Sequence, residues 1–341
     1  MTSPRSMHHS STLLAAIFSL FIAFTQTAVP AADAAKPAEK AVLRIGYLPI
    51  TDHLTLIAQA RTQFKAVAIE PVKFASWPEL AEALKAEAID GAFVLSPIAL
   101  SLRQKGVPIK AILLGHRNGS VVTVKNTPDI TKAENLKGKT IAIPSRFSTH
   151  NILIRKYLAE HGLDAEKDVK LLEMAPPEMV NALATGKVDA FIVAEPFGGQ
   201  AELQKVGKVL VLSKDIWHDH ICCILNLREK VIAAHPEAVQ EFVTSLVDAG
   251  RFIEAHPDEA ATLGNKLLGQ KSAVIQHVLT EPKGRVTYDQ LTPEAKDFAA
   301  TQDYLVQFGI FKEKVDLAAY LDDRFAKTAY AALEKDEKAK P

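Results

Sequence analysis

Three short stretches crowd hydroxyl, imidazole and charged groups together: Pro49-Ile50-Thr51-Asp52-His53, Gly115-His116-Arg117-Asn118-Gly119-Ser120 and Ser145-Arg146-Phe147-Ser148-Thr149-His150. Ser76-Trp77, Ser96-Pro97 and Glu195-Pro196-Phe197 extend the set. Ser, Thr and His supply hydrogen-bond donors. Arg117 and Arg146 carry the planar fork that grips an oxyanion with two parallel bonds. Trp77 offers an apolar wall. Together these groups suit a small anion, or a zwitterion with an oxyanion head whose amine Asp52 or Glu195 can hold. Each residue also has a plain structural reading. Ser148 and Thr149 can cap a helix, Trp77 can be core, both arginines can be solvated, and Asp52 and Glu195 can cap a helix or pair with an Arg. His53 and His150 occupy matched positions, as a shared structural role or as paired contacts.

The only cysteines, Cys222 and Cys223, are adjacent. A vicinal disulfide is a strained eight-membered ring. The run His218-Asp219-His220-Ile221-Cys222-Cys223 resembles a metal cluster, but Ile221 to Leu227 is an apolar strand-like run in which Cys acts as a small hydrophobe. Buried thiols are therefore the expectation, with no metal and no cofactor. Nothing in the chain matches a Gly-rich phosphate loop, an H-E-x-x-H or a G-x-S-x-G. No enzyme activity is expected.

The elements that must position these residues alternate from Val42 onward. Val42–Leu48, Ile69–Ala75 and Ala92–Leu95 are strand-like, and helical spacing runs through His53–Phe64 and from Trp77. Ser76 and Glu79 have the spacing of a capping pair at the latter start. Such alternation predicts an open, mostly parallel α/β sheet. The pattern then recurs. Pro78–Pro97 laid over Pro177–Pro196 is identical at seven of twenty positions without a gap, Asp90/Asp189 among them. Ile50–Ile57 lies over Phe147–Ile154 at nearly the same offset, which aligns His53 with His150. This period exceeds the 20–50 residues of solenoid repeats and predicts two similar lobes. Two crossovers would turn the carboxyl ends of both sheets toward one crevice, where helix N-termini point their free N–H groups.

The expected organisation is lobe one over 42–125, lobe two over 126–220, and a return to lobe one with a helical part over 221–335. A charged, unstructured tail follows at 336–341. Helices are expected over Pro236–Glu254, Pro257–Leu268, Pro293–Phe308 and Val315–Leu333. Before them, Arg5, His8 and His9 precede the apolar run Leu13–Phe24 and then small residues Thr27–Ala35. That order is a secretory signal peptide, expected over 1–34 with a cut after Ala32-Asp33-Ala34 and a leader at 35–41. The run is too short to span a bilayer, and no Cys follows it to carry a lipid, so a periplasmic protein is expected. Forty basic residues balance forty acidic ones, which gives no basic face for nucleic acid.

LRIGYLPITD, FASWPEL, STHNILIRKYL, APPEMVNALATGKVDAFIVAEPF, DIW and QDYLVQFGIF with VDLAAYLDDRFA resemble the nitrate/sulfonate/taurine family of ABC-transporter solute-binding proteins, over about Leu43 to Tyr330. The resemblance implies a two-lobed, periplasmic-binding-protein-like α/β fold of type II that closes on a small solute. It implies delivery to the permease subunits of an ABC importer, by a protein acting as a monomer. In nitrate- and bicarbonate-type relatives the aromatic of the Ser-Trp pair and the lobe-two Ser/Thr-His loop line the cleft, which implicates Trp77, Ser148, Thr149 and His150. HICCILNL departs from the His-Pro pair of nitrate-type relatives, and Arg146 also departs from the pattern. Sulfonate, taurine-like, carboxylate and pyrimidine-type solutes are therefore open. A ligand-sensing module or a pyrimidine-precursor enzyme of the same fold is the rival reading.

Overall fold

In the computed structural model, residues 39–339 are described; the signal-peptide expectation and most of the leader lie outside them. Among the described residues there are twelve strands: β1 Ala41–Tyr47, β2 Val67–Lys73, β3 Gly91–Leu95, β4 Ile109–Leu114, β5 Arg117–Asn118, β6 Ser120–Lys125, β7 Thr140–Ile143, β8 Lys170–Glu173, β9 Ala190–Ala194, β10 Gly207–Leu212, β11 Cys223–Arg228 and β12 Val286–Thr287. They form two five-stranded sheets, ordered β2-β1-β3-β11-β4 and β10-β6-β9-β7-β8, and the small pair β12-β5. The fold is α/β with two lobes.

Both sheets have the same plan. In the first, β1 pairs in parallel with β2 and β3, and β11 runs antiparallel between β3 and β4. In the second, β7 pairs in parallel with β8 and β9, and β6 runs antiparallel between β9 and β10. The odd strand in each sheet is the one that has just crossed from the other lobe. β3 and β9 are buried along their whole length, as central strands covered on both faces must be.

The repeated Asp explains part of the duplication. Asp90 precedes β3, and its carboxylate accepts the Arg44 N–H of β1 at 2.9 Å while its own N–H donates to the Arg44 carbonyl. Asp189 precedes β9 and does the same with Thr140 of β7, at 3.0 Å for the carboxylate. Each Asp pins two neighbouring strands at the edge away from the cleft. The matched segments Trp77–Lys85 and Pro176–Ala184 are both helices.

Several expectations need correction. β6 joins the second sheet, so the first crossover falls at Arg117–Gly119 and not after Lys125. The apolar run Val121–Val124 suits either sheet, and sequence does not mark the turn that Gly119 makes at φ +76°. The helical spacing from His53 begins as a 3-10 turn over Thr51–Ile57, and only Ala58–Arg61 is α-helical. Ser76 stands at the start of its helix with extended backbone, but its hydroxyl makes no cap bond, so the Ser76/Glu79 pair is not a capping box. The stretch Val315–Leu333 is broken between Leu317–Tyr320 and Arg324–Ala339, because Leu321 leaves to bridge Ala111. The second of these helices continues through most of the expected unstructured tail. The helix Ser272–Thr280 was not anticipated.

Buried between the C-terminal helices and β11, the Tyr320 hydroxyl donates to Asn226 Oδ1 at 2.6 Å. Tyr320→Phe leaves that oxygen without its partner, and we expect a loss of about 1–3 kcal/mol, read as a lower urea midpoint. An unchanged midpoint would show the bond to be dispensable.

Candidate functional site

The lobes meet through polar groups. Thr51, in the loop after β1, donates from its backbone N–H at 2.7 Å and from its hydroxyl at 3.0 Å to the Glu195 carbonyl after β9. Ser96 Oγ, after β3, lies 3.2 Å from Thr149 Oγ1 after β7. All four residues are buried. These are loops at the carboxyl ends of the strands, where open α/β sheets place their ligands.

Around this seam the expected residues divide. His150 opens the helix Thr149–Glu160; its Nε2 lies 3.0 Å from Ser120 Oγ and its Nδ1 has no partner. Ser148 caps that helix by accepting the Asn151 N–H at 3.0 Å, so its hydroxyl already has a structural task. Ser145 Oγ accepts the Phe147 N–H. Trp77 is buried with its indole N–H unpaired, and stands edge-on to His53 at 6.0 Å. It lines a cavity of about 160 Å³ together with Ile98, Ser145 and Phe147. Ser76 is half-buried. His53 Nδ1 faces the Leu48 carbonyl at 2.8 Å, a local tie within its own loop.

Three charged candidates are engaged elsewhere. Arg117 binds Asp297 at 2.8 Å and the carbonyls of Asp219 and Gln290. Arg146 is exposed and stacks over its neighbour Phe147. Glu195 is buried, accepting Arg285 Nε at 2.6 Å and the Gly199 N–H at 3.0 Å. Arg117 is thus committed to Asp297, and Arg146 lies outside the buried groups of the seam. Arg285 had no motif to reveal it.

Asp52 is the unexpected centre. It is fully buried, and neither carboxylate oxygen has a hydrogen-bond partner. His116 Nε2 lies 2.9 Å from its Oδ1, but the two are not aligned for a hydrogen bond. Asp52 and the thiols of Cys222 and Cys223 form a group of three whose ligand atoms all lie within 4.8 Å of one another. Both thiols are free. His218 and Asp219, by contrast, are exposed and contact each other. Sequence alone could not see that Asp52, far away in the chain, takes their place beside the thiols.

Glycines make this closeness possible. A Cβ on Gly115 would meet the Asp52 carbonyl oxygen at 2.4 Å and the Cys223 carbonyl oxygen at 3.2 Å. One on Gly119 would meet the His116 ring at 2.6 Å. Tyr288 holds the same loop by donating its hydroxyl to the Thr51 carbonyl at 2.8 Å.

Burial sets the charges. It pushes His53 and His150 down to about 4 and His220 down to about 3, so all three are neutral. It pushes the Cys222 thiol up to about 12 and raises Cys223 as well. For Asp52 burial also favours the neutral acid, but His116, with smaller help from His53 and His150, outweighs it and holds the carboxyl well below the usual range. The Asp52 carboxylate is thus surrounded by neutral His53, His150 and His220 rings and by neutral thiols.

Two matching lobes with a polar seam between the carboxyl ends of their sheets define a periplasmic-binding-protein fold. Residues 36–267, more than half of the chain, match the model of the NMT1-like family, and the chain belongs to that family. It is 31% identical over 210 residues to the taurine-binding periplasmic protein of Escherichia coli, covering 59% of this chain and 63% of that protein. It is 29% identical over 237 residues to the nitrate import ATP-binding protein NrtC of a Synechocystis strain, covering 63% of this chain but only 35% of NrtC. The chain therefore spans about a third of one curated relative and just under two thirds of the other. Among solved structures, the ligand-binding component of an ABC-type import system from Staphylococcus aureus, with zinc bound, superposes with a TM-score of 0.78. It is 27% identical and covers 85% of this chain and 99% of that one.

Proposed function

We propose that the chain is exported to the periplasm and serves as the solute-binding component of an ABC importer. Its two lobes close on a small anionic or zwitterionic solute, and the closed form is presented to permease subunits by a monomer. The observation that carries this reading is the seam itself. Ser96 meets Thr149 there, and two candidates, the Trp77 indole N–H and the His150 Nδ1, are buried without partners. Buried polar groups normally have partners, and a solute in the gap would supply them. The helix start at Thr149 and His150 adds N–H groups and about half a positive charge, which suits an oxyanion. Likeness to a taurine-binding protein and to an import-system component supports the same reading.

A thermal-shift panel of nitrate, sulfonates, taurine, carboxylates and pyrimidines, run on chelator-treated protein, tests the solute class. One class should raise the melting point, because a ligand at a hundredfold excess over Kd stabilises the native state by about 2.7 kcal/mol. A response confined to sugars or organic cations would overturn the proposal.

A further inference from the structure

The Asp52 group poses a problem that a small anion does not solve. A buried carboxylate costs several kcal/mol unless it is paired and hydrogen-bonded. Here both oxygens lack hydrogen-bond partners, and so do both ring nitrogens of His116. The buried arginines give no help: Arg117 is held by Asp297, Arg228 by Glu87, and Arg285 by Glu195 and Glu202. The missing component is a cation, and three donors, the Asp52 carboxylate and the two thiols, already face one another to receive it.

Their chemistry selects the class. Two sulfurs and one carboxylate oxygen form a borderline-soft set; magnesium and calcium favour oxygen alone. Zinc takes four such ligands as a tetrahedron, whose donor atoms lie about 3–4 Å apart. Asp52, Cys222 and Cys223 are mutually within 4.8 Å, and His116 Nε2 is 2.9 Å from Asp52. Gly115 and Gly119 allow the carboxylate's loop, the thiol strand and the imidazole to come this close.

We propose that Asp52, Cys222 and Cys223 bind one divalent ion of the zinc type at the inner wall of the gap, with solvent in the fourth position and His116 against the carboxylate. This departs from the sequence-based expectation of inert thiols and no metal. Binding releases the proton of each thiol that ligates to solvent. The site stands beside the solute reading and does not depend on it.

The full mature chain, reduced and stripped with a chelator, should bind one equivalent of zinc chloride in a calorimetric titration. Cobalt(II) in its place should give sulfur-to-metal charge-transfer absorption in the near ultraviolet and the intense visible bands of a tetrahedral site. Cys222→Ala/Cys223→Ala should abolish the charge-transfer band, and Asp52→Asn should weaken zinc by about a hundredfold or more, since even outer partners of a metal site cost 10–100-fold. Urea midpoints without metal check that the variants fold. The cobalt spectrum of the unaltered protein needs no variant. Cobalt spectra without a sulfur band, or undiminished zinc affinity in the folded thiol-free variant, would overturn the proposal. If a solute still shifts the metal-free protein while zinc fails to bind, the ion site alone is lost. Zinc binding with the sulfur signature, and no solute response, sinks only the anion reading.

Discussion

Arg285→Ala is expected to destabilise the protein by about 3–5 kcal/mol, the cost of breaking a buried ion pair from one side. Arg285 Nε donates to Glu195 Oε1 at 2.6 Å, Nη1 and Nη2 both reach Glu202 Oε2 at 3.0 Å, and Nη1 also donates to the Glu281 carbonyl. Arg285 comes from the C-terminal part, whereas Glu195 and Glu202 belong to the second lobe, so the guanidinium is a clasp across the chain. Without it Glu195 keeps only the Gly199 N–H. Burial already raises the Glu195 pKa against the opposing effect of Arg285, and in the variant that push would be stronger. A carboxyl with a folded-state pKa above its unfolded value contributes stability at acid pH and loses it as pH rises. The deficit should therefore grow from mildly acid to neutral pH. Urea denaturation at two pH values reads both effects. An unchanged midpoint would show that the clasp carries no weight, and a deficit that shrinks toward neutrality would remove Glu195 as its cause.

Trp77→Ala should cost a similar amount, about 3–5 kcal/mol, as large-to-small changes of a buried aromatic do. Trp77 is only 1% exposed and packs edge-on to His53. It was expected as a cleft wall, and burial makes it core as well. Trp77→Phe separates the roles. It keeps an aromatic ring and should cost less than about 1.5 kcal/mol, yet it removes the unpaired N–H. If that N–H meets the solute, affinity should fall about tenfold, the value of one hydrogen bond of about 1.4 kcal/mol. Equal solute affinity in the Phe variant would leave Trp77 purely structural, and a wild-type melting curve for Trp77→Ala would contradict even that.

Much of the architecture was legible because the chain states it twice. The gapless match of Pro78–Pro97 with Pro177–Pro196 is the trace of two identical strand-pinning contacts, at Asp90 and Asp189, and any sequence that keeps those contacts keeps the spacing. His53 and His150 were rightly expected to be equivalent in position, but their surroundings diverge. One is tied to Leu48 and the other faces Ser120 across an unpaired nitrogen. The surroundings of the arginines were not legible, because a guanidinium in a loop has no periodicity to show which way it points; Asp297 and Phe147 decide that, from distant or adjacent places. Asp52 was singled out for the right loop. Its company was hidden, since nothing local joins it to Cys222 and Cys223 from the far end of the second lobe. The antiparallel strand in each sheet was hidden too, because a buried apolar run has the same composition whichever direction it takes.

Both crossing segments run between the lobes, and they carry His116 on one side and Cys222 on the other. Most clamps grip their load at the tips of the jaws, where a slack grip costs little. On the ion proposal, the three donors would sit beside these crossings, where a shift of a fraction of an ångström would become a long arc at the rim. An ion settled there would set the angle of the jaws, so fullness and posture would be one variable. A membrane partner touching only the outer rims could then read the innermost atoms of the protein without reaching them.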